Sequence, residues 1–268
     1  MHQKICVIGC GWLGFKLAER LIKNSYEVHG STTSKTKIPS LKQAHIIPFV
    51  VRLSPTGVMG QIDDCLSHCK TLIVNIPPGL RKNPNSDYVK QMTFLLEHIE
   101  TSMVEHVVFI SSTSVYDDHE TFPVITENSP TSTSKTALKL VAVERLFQKN
   151  TSFKTTILRF SGLFAEDRHP AKFLSGKTNL KNANAPVNLI HRDDCISIIM
   201  SIVQHNLWDL VLNASALTHP IKKTYYIAVC NALNIPVPEF NKDVKSKGKI
   251  INSQKLVRLL NYEFQVKL

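Results

Sequence analysis

The sequence lacks any apolar run of about 18 residues, the length that a membrane-spanning helix requires. It also lacks a secretory signal, because Lys16, Glu19 and Arg20 stand where such a signal needs its apolar segment and its small-residue cleavage site. Both absences argue against insertion into a membrane and against export. We therefore expect a soluble, cytoplasmic protein.

Cysteine is scarce, with six scattered residues in a chain of 268. Cys65 and Cys69 have the i,i+4 spacing of one helix face, but no second pair of metal ligands accompanies them. The pattern disfavours both a disulfide framework and a zinc site. We predict reduced thiols, as is usual in the cytosol, and no metal site.

Acidic residues are outnumbered, because 21 Asp and Glu stand against 32 Lys and Arg, for a formal net charge of +11. Nucleic-acid-binding surfaces usually concentrate their basic residues, whereas here they are dispersed, and only Lys242 to Lys249 forms a basic run. A solvated face accounts for that run. The sequence thus disfavours a nucleic-acid partner, although the positive field would attract a small phosphorylated ligand.

The composition is that of a globular protein, with 43% hydrophobic and 20% charged residues. A short apolar strand at Lys4–Ile8, a helical pattern at Trp12–Lys23 and a strand at Glu27–Gly30 open a parallel sheet. Strands and helices are then predicted to alternate at His45–Val51 (strand), Met59–His68 (helix), Thr71–Ile76 (strand), Asp87–Ser102 (helix), His106–Ile110 (strand), Ser134–Gln148 (helix) and Lys154–Phe160 (strand).

Beyond Gly162 the alternation loosens, with a long polar stretch from Arg168 to Pro186 and helices predicted at Asp193–Gln204 and Lys223–Leu233. We predict an α/β fold in which residues 1–162 form a Rossmann-type doubly wound parallel sheet. Residues 163–268 would form a smaller C-terminal substrate-binding lobe, some elements of which could return to the sheet. Ligands of such sheets bind at the carboxyl ends of the strands.

The clearest motif is a G-x-G-x-x-G sequence between the first strand and the first helix, made of Gly9, Cys10, Gly11, Trp12, Leu13 and Gly14. In this context Gly9 permits a tight turn, Gly11 lets the backbone approach a pyrophosphate, and Gly14 allows close helix packing. The helix N-terminus would then bind the phosphates. The motif predicts a dinucleotide site, and a purely structural glycine turn is the alternative.

The residues after the second predicted strand bear on the choice of dinucleotide. An NAD site usually has Asp or Glu about 20 residues beyond the glycine motif, where it binds the ribose hydroxyls. Here the segment is polar and carries no carboxylate, and it consists of Ser31, Thr32, Thr33, Ser34 and Lys35. Because hydroxyls and a lysine could receive a 2′-phosphate, we predict NADP as the preferred cofactor, with NAD as the alternative.

Four segments, taken in order, resemble the extended short-chain dehydrogenase/reductases, and in particular the NAD(P)-dependent epimerase/dehydratase group. They are the glycine motif, Phe109–Tyr116, Leu158–Leu163 and Pro186–Asp194. The likeness spans almost the whole chain. Within the group the sequence looks most like the bacterial YeeZ-like atypical members, which share the Trp12-Leu13 pair, the Ile76-Pro77-Pro78 strand exit and the Arg168-His169-Pro170 loop.

This resemblance implies roles for individual residues. Ser112 matches the catalytic serine or threonine that hydrogen-bonds the reacting carbonyl or hydroxyl, and a polar strand cap is the alternative. Tyr116 lies four residues beyond it. Further cofactor contacts are implied for Asn75, Ile76, Pro77, Ser111, Phe160 and Ser161, and the substrate side for Arg168, His169, Asn188 and His191.

The sequence departs from the family at its Tyr-x-x-x-Lys pair, in which the tyrosine is the general acid/base and the lysine lowers the tyrosine pKa and holds the ribose. Counting back eight and four residues from Glu144 places Thr136 and Leu140 at these positions. A shift of one residue places Lys135 and Lys139 there instead. Neither register restores a tyrosine.

Three interpretations of this departure stay open. Tyr116, His169 or His191 could move the proton, since the ordinary pKa of a histidine side chain suits that task. The protein could instead bind its cofactor without turnover. Alternatively, it could catalyse a step other than simple carbonyl reduction.

We therefore hypothesise an NAD(P)-dependent oxidoreductase or epimerase/dehydratase in which Ser112 polarises an oxygen of a nucleotide sugar or a small carbonyl compound. The general base is unassigned. The rival hypothesis, favoured by the missing pair, is a non-catalytic NADP(H)-binding sensor or regulatory protein. Nucleic-acid binding, the third hypothesis, rests on net charge alone and would show a steep salt dependence of affinity.

Overall fold

The computed structural model describes residues 3–79, 86–241 and 243–268. The strands of these residues are β1 (Lys4–Ile8), β2 (Glu27–Thr32), β3 (Ile47–Ser54), β4 (Gly57–Gly60), β5 (Thr71–Val74), β6 (His106–Ser112), β7 (Val124–Ile125), β8 (Lys154–Phe160), β9 (Gly162–Phe164), β10 (Leu189–His191), β11 (Val211–Ala214) and β12 (Ile250–Ile251). Their helices are α1 (Trp12–Lys23), α2 (Ile38–Gln43), α3 (Ile62–Leu66), α4 (Tyr88–Glu100), α5 (Lys135–Gln148), α6 (Pro170–Leu174), α7 (Arg192–Gln204), α8 (Lys222–Ala232) and α9 (Gln254–Leu260).

Eight of the described strands form one sheet in the order β11-β8-β6-β5-β1-β2-β3-β4. Strand β1 pairs in parallel with β2 on one side and with β5 on the other. Its residues Ile5 to Ile8 are at most 1% exposed. A continuous apolar run of this kind is typical of a parallel strand covered on both faces. The mostly parallel, helix-flanked sheet confirms the predicted Rossmann-type α/β fold.

Helix α1 follows from the spacing of its apolar residues. Leu13, Leu17 and Leu21 recur every four residues, so they lie on one face, and each is at most 4% exposed. Arg20 and Lys23 lie in the last turn, where positive charge interacts favourably with the helix dipole. The helix therefore packs by its apolar face, and its N-terminus directly follows the glycine turn.

The helix predicted for Met59–His68 is wrong in its first part, since β4 precedes α3 and runs antiparallel to β3. Gly57 and Gly60 have φ values of +140° and +101°, which are accessible to glycine at little cost. A Cβ on Gly60 would also lie 2.0 Å from the carbonyl oxygen of Val50. Gly57 thus lies at the hairpin turn between β3 and β4, whereas Gly60 ends β4 where its backbone passes close to β3 at the edge of the sheet.

The chain divides into two compact units. Unit 1 comprises residues 1–112, 133–158 and 196–211, and unit 2 comprises residues 113–132, 159–195 and 212–268. The division cuts β8 after Leu158 and β11 after Val211. Each unit is therefore assembled from three separate segments, and most of α7 belongs to unit 1.

Unit 2 has its own apolar core, formed by Phe164, Ala171, Val187, Leu189, Tyr226 and Cys230. Val266 and Leu268, near the end of the chain, pack against this core. The tail is also held by Asp194, a fully buried carboxylate that accepts the Tyr262 hydroxyl at 2.7 Å and the Gln265 N–H at 2.9 Å. The C-terminal tail is thus part of the folded structure of unit 2.

All six cysteines are buried and carry free thiols. Burial raises the pKa of the Cys10 and Cys69 thiols to about 12, so both stay protonated at neutral pH. None of the helices in the described ranges is long and apolar enough to cross a membrane.

Candidate functional site

The glycine turn joins β1 to α1, and its three glycines have different surroundings. Gly9 has a φ of +103°, and a Cβ there would lie 2.3 Å from the carbonyl oxygen of Asn75. A Cβ on Gly14 would lie 2.2 Å from the carbonyl oxygen of Gly9. Both positions therefore require glycine for the turn to pack. A Cβ on Gly11 would meet nothing within 4 Å, so Gly11 borders open space.

The open space beside Gly11 lies at the N-terminus of α1. Gly11 is the N-cap residue of this helix, and no side chain caps the helix there. The first N–H groups of a helix and its dipole favour an anion. The residues present thus fit the pyrophosphate of a dinucleotide, in a place that a Cβ on Gly11 would enter.

Ser31 supports the glycine turn from the end of β2. Its hydroxyl accepts the Gly9 N–H at 2.9 Å, and its carbonyl oxygen accepts the Cys10 N–H at 2.9 Å. Ser31 and Thr32 are both buried, whereas Thr33 is exposed. In the polar segment proposed for a 2′-phosphate, the accessible part therefore begins at Thr33.

Arg52 lies beside this segment, and the sequence did not point to it. Its Nε donates a hydrogen bond of 3.0 Å to the carbonyl oxygen of Thr33, and its side chain is exposed. Parallel pairing of β2 with β3 brings the two residues together across 19 positions of sequence. Lys35 and Lys37, in the 3₁₀ turn after β2, are exposed nearby in sequence. The loop after β2 thus carries two cations, and Arg52 on β3 adds a third beside it.

The exit of β5 is tied to the glycine turn through Asn75. Its backbone N–H donates to the carbonyl oxygen of Ile8 at 2.9 Å, and its side-chain Nδ2 donates to the carbonyl oxygen of Gly9 at 3.1 Å. The carbonyl oxygen of Ile76 accepts the Tyr88 hydroxyl at 3.4 Å, and Pro77 follows. Asn75 and Ile76 therefore fix the path of the chain where the strand ends.

Ser111 and Ser112 close β6. The Ser111 hydroxyl is buried and donates to the Glu144 carboxylate at 2.5 Å, which ties the strand to α5. Glu144 itself is 1% exposed. Ser112 is the last residue of β6 and is half-buried. Ser111 thus supports the fold, and of the two serines Ser112 is the more accessible.

Helix α5 carries Thr136 and Leu140, the positions that the resemblance implies for a tyrosine and a lysine. Thr136 is exposed on the first turn, and Leu140 is 3% exposed. Lys139, one position away, is half-buried, and its Nζ donates to the carbonyl oxygen of Ser86 at 2.8 Å. The helix therefore offers a lysine but no phenol.

Tyr116 belongs to unit 2, where its side chain is 3% exposed. The hydroxyl accepts from Arg159 Nη1 at 2.6 Å and donates to Asn213 Oδ1 at 3.0 Å. Burial raises the pKa of Tyr116, and the nearby guanidinium opposes this rise only in part. Both hydrogen-bonding directions of the phenol are thus used inside the protein. An acid/base role for Tyr116 stays a prediction, and its surroundings favour a structural one.

Phe160 ends β8 and Ser161 follows it, and both residues belong to unit 2. Phe160 is 1% exposed, and the Ser161 N–H donates to the carbonyl oxygen of Ala214 at 3.0 Å. The Ser161 hydroxyl is buried and has no hydrogen-bond partner within the described residues. A buried, unpaired hydroxyl costs free energy, so a bound group that pairs with it would be favoured.

Three of the four residues predicted for the substrate side lie on the segments that flank Phe164. The Phe164 ring contacts the His169 ring at 5.3 Å and the His191 ring at 5.1 Å between centroids. His191 is 3% exposed, and its Nε2 lies 3.3 Å from Glu166 Oε1 without the alignment of a hydrogen bond. Arg168 is exposed in a tight turn before His169.

Asn188, the fourth residue predicted for the substrate side, forms hydrogen bonds to backbone groups. Its Nδ2 donates to the carbonyl oxygen of Lys249 at 2.8 Å, and its Oδ1 accepts the Ile251 N–H at 2.9 Å. This clamp holds β12 in unit 2. A substrate contact through Asn188 stays a prediction, and it would use the second N–H or the second lone pair of an amide that these two bonds already hold in place.

The basic run near the end of the chain is partly neutralised within unit 2. Lys245 and Lys247 lie 3.7 and 3.9 Å from the Glu120 carboxylate, and Lys249 lies 2.9 Å from Asp118. Lys242 lies outside the described residues. These pairings do not favour a nucleic-acid surface.

Comparison with known proteins identifies a family model and a relative that match this chain. Residues 5–207 match the model of the NAD dependent epimerase/dehydratase family. The chain is 29% identical over 267 residues to Protein YeeZ of Escherichia coli (strain K12), a match that covers 98% of this chain and 96% of YeeZ.

Solved structures with the same fold carry bound nucleotides. UDP-glucuronic acid 4-epimerase from Bacillus cereus, in complex with UDP-glucuronic acid and NAD, gives a TM-score of 0.78 at 19% identity and covers 99% of this chain and 95% of that one. A short-chain dehydrogenase/reductase superfamily protein from Agrobacterium tumefaciens with bound NAD gives 0.75 at 16% identity, with 99% and 93% covered. At these identities the likeness is one of fold.

The family match begins in β1 and continues into the segment after α7, so it spans more than half of the chain. It contains all four segments that suggested the family from sequence, namely the glycine motif, Phe109–Tyr116, Leu158–Leu163 and Pro186–Asp194. The predicted resemblance is confirmed, and the chain belongs to the NAD-dependent epimerase/dehydratase family.

Proposed function

We propose that this protein is an NAD(P)-dependent oxidoreductase or epimerase/dehydratase that binds its cofactor on the glycine turn of unit 1. The observation that carries the proposal is the open space at Gly11, next to an uncapped helix start and between two glycines whose surroundings exclude a side chain. The NAD in the B. cereus and A. tumefaciens structures supports it. A bound nicotinamide would supply hydride transfer.

We further propose that NADP(H) binds in preference to NAD(H). No carboxylate lies in the segment from Ser31 to Lys35, so nothing there would repel a 2′-phosphate. Arg52 is anchored through Nε to the Thr33 carbonyl oxygen, and among the described residues this bond does not use its two terminal nitrogens. A guanidinium held in this way suits bidentate binding of a phosphate. Lys35 would add a second, more flexible charge.

We assign the substrate chemistry to residues at the carboxyl ends of β6 and β8. Ser112 would donate a hydrogen bond to the carbonyl or hydroxyl that reacts, and the unpaired Ser161 hydroxyl would bind a group of the cofactor or substrate. We propose a nucleotide sugar as the substrate, because the B. cereus epimerase holds UDP-glucuronic acid and the net charge of +11 favours an anionic ligand. A small carbonyl compound is the alternative.

A second candidate function is favoured by helix α5. With exposed Thr136 and buried Leu140 at the positions that the resemblance implies for the family's catalytic pair, the helix provides no phenol as general acid. A protein that binds NADP(H) and changes a partner contact, without turnover, would need none. This sensor function predicts tight cofactor binding together with complete absence of catalysis.

One series of experiments tests both candidates. The protein is incubated with NADP or NAD and a panel of nucleotide sugars and small carbonyl compounds, while reduced nicotinamide is followed optically and sugar products are followed by NMR. If the protein is an enzyme, Ser112→Ala should lower the rate about 10²- to 10³-fold relative to the native protein. Thr136→Ala should leave the rate almost unchanged. Full activity in both variants would make Ser112 a strand cap. Cofactor binding without any product would favour the sensor.

A further inference from the structure

His169 and Tyr225 form a hydrogen-bonded pair in unit 2, and the backbone fixes its direction. His169 Nδ1 accepts the N–H of Ala171 at 3.1 Å, so this nitrogen carries a lone pair. A neutral imidazole then carries its proton on Nε2. His169 Nε2 lies 3.2 Å from the Tyr225 hydroxyl oxygen, and it therefore donates to that oxygen.

Both rings keep this protonation state at neutral pH. Burial, assisted by the charge of Lys172, lowers the pKa of His169 below its ordinary value of 6.5. Burial raises the pKa of Tyr225 to about 12. Because the oxygen of Tyr225 accepts from His169, its own proton must be directed elsewhere. The part of the chain that the structure describes provides no acceptor for it.

The pair is held firmly, yet it can be reached from solution. The His169 ring lies 5.3 Å from Phe164 and 6.1 Å from Tyr225, and the Tyr225 ring lies 5.1 Å from Tyr226. This row of rings packs on the core of unit 2, where Tyr226 is buried. Tyr225 is only half-buried. A donor in this setting is oriented before any ligand arrives, which lowers the entropy cost of binding.

Lys172 gives the pair a positive surrounding. Its Nζ donates to the carbonyl oxygen of Glu166 at 2.9 Å, a neutral partner that leaves the charge uncompensated. The same charge acts on the His169 ring. Hydrogen bonds to a charged acceptor are about twice as strong as those between neutral groups. An anionic oxygen is therefore the acceptor that this corner of unit 2 favours.

We propose that Tyr225 is a substrate-binding residue whose phenolic proton binds an anionic oxygen of the substrate, such as the carboxylate of a uronic acid, and that His169 positions it. This inference rests on the proposed function, because it takes the substrate to be a nucleotide sugar. It adds a phenol from α8, far in sequence from the segments that carry the family resemblance.

The test is a calorimetric titration of the full-length protein, saturated with whichever of NAD and NADP it binds more tightly. UDP-glucuronic acid and UDP-glucose are the two probes, and they differ by a carboxylate against a hydroxymethyl group. The native protein should prefer UDP-glucuronic acid. Tyr225→Phe should weaken UDP-glucuronic acid binding about tenfold or more and remove most of that preference.

Matched variants separate this role from a structural one. Tyr226→Phe makes the same change one residue along α8. It should alter the affinity for UDP-glucuronic acid and the affinity for UDP-glucose by no more than about twofold. His169→Asn keeps an N-cap side chain for α6 but cannot reach Tyr225, so it should weaken UDP-glucuronic acid binding about threefold. Combined with Tyr225→Phe, it should have no further effect, because the two act through one bond.

The outcomes distinguish this inference from the function on which it rests. Native-like binding of UDP-glucuronic acid by Tyr225→Phe would overturn the assignment of Tyr225 alone. Cofactor binding without binding of either sugar would overturn the substrate class and this assignment with it. Failure of the native protein to bind NAD and NADP would overturn the proposed function itself.

Discussion

At the scale of single residues, Gly11 and Gly14 show how two glycines of one motif differ. We expect Gly11→Val to abolish NAD and NADP binding while the protein stays folded, because the side chain would enter open space at the start of α1. Circular dichroism and cofactor titration check the two halves of this expectation. Undiminished affinity would mean that the glycine turn is only a turn.

Gly14→Ala is the matched control for that substitution. Its Cβ would lie 2.2 Å from the carbonyl oxygen of Gly9 and 2.9 Å from Asn75 Nδ2. The change should therefore lower the free energy of unfolding, an effect that Gly11→Val should not share. Urea denaturation of both variants separates a loss of cofactor binding, expected for Gly11→Val, from a loss of packing, expected for Gly14→Ala.

Arg52 carries a prediction about cofactor choice. Arg52→Ala should weaken NADP binding about tenfold and leave NAD binding within about twofold, because only NADP carries the 2′-phosphate. Titration of both cofactors at one ionic strength measures this difference. Arg20→Ala removes the same charge from the exposed face of α1 and should change neither affinity. Equal losses for both cofactors in Arg52→Ala would contradict the role.

At the scale of elements, the C-terminal tail should contribute to the stability of unit 2. Tyr262→Phe removes the hydroxyl that the fully buried Asp194 carboxylate accepts at 2.7 Å. Loss of a partner by a buried charged group should lower the free energy of unfolding by about 1 to 3 kcal/mol. Urea denaturation checks this, with Tyr26→Phe as a control. A loss below about 0.5 kcal/mol would show that the bond is dispensable.

Elements with a clear hydrophobic period were predictable from the sequence. The bounds predicted for β1, α1 and β8 agree with the structure, since the two strands are rich in β-branched and apolar residues and the helix has a regular apolar stripe. Strand β4 was missed because its four residues include two glycines, which give no strand signal. Short strands such as β9 and β12 depend on partners far away in sequence, and no local pattern predicts them.

The same limit applied to the candidate site. The glycine turn was predictable because its residues are adjacent in sequence, and its context between strand and helix is local. Arg52 and Tyr225 were not, since each acts through a contact with a residue 19 or 56 positions away. Ser31 was predicted as a cofactor contact, which stays a prediction, and in the structure its hydroxyl and carbonyl oxygens hold the glycine turn.

At the scale of the whole molecule, stability should fall in acid in two stages. Burial lowers the pKa of His106, His169 and His219 below 6.5, so the unfolded chain binds protons before the folded one does. Below about pH 6.5 the free energy of unfolding should therefore begin to decrease. Glu27, whose pKa is lowered by Lys4, should add a further loss only below its ordinary value of 4.5.

Urea denaturation at pH about 8 and at pH about 5.5 measures the first stage of this loss. His106→Phe keeps a ring stacked on Trp208, at 4.4 Å in the native protein, and removes one titrating group. This variant should lose less stability than the native protein between the two pH values. A native protein that is equally stable at both would contradict the expectation.

The three-segment composition of unit 1 has a consequence for synthesis on the ribosome. Residues 196–211 complete unit 1, but they are translated after residues 159–195, which belong to unit 2. The emerging chain must therefore begin unit 2 while unit 1 still lacks a segment. Unit 1 is therefore complete only once residue 211 has left the exit tunnel, and unit 2 only once residues 212–268 have followed.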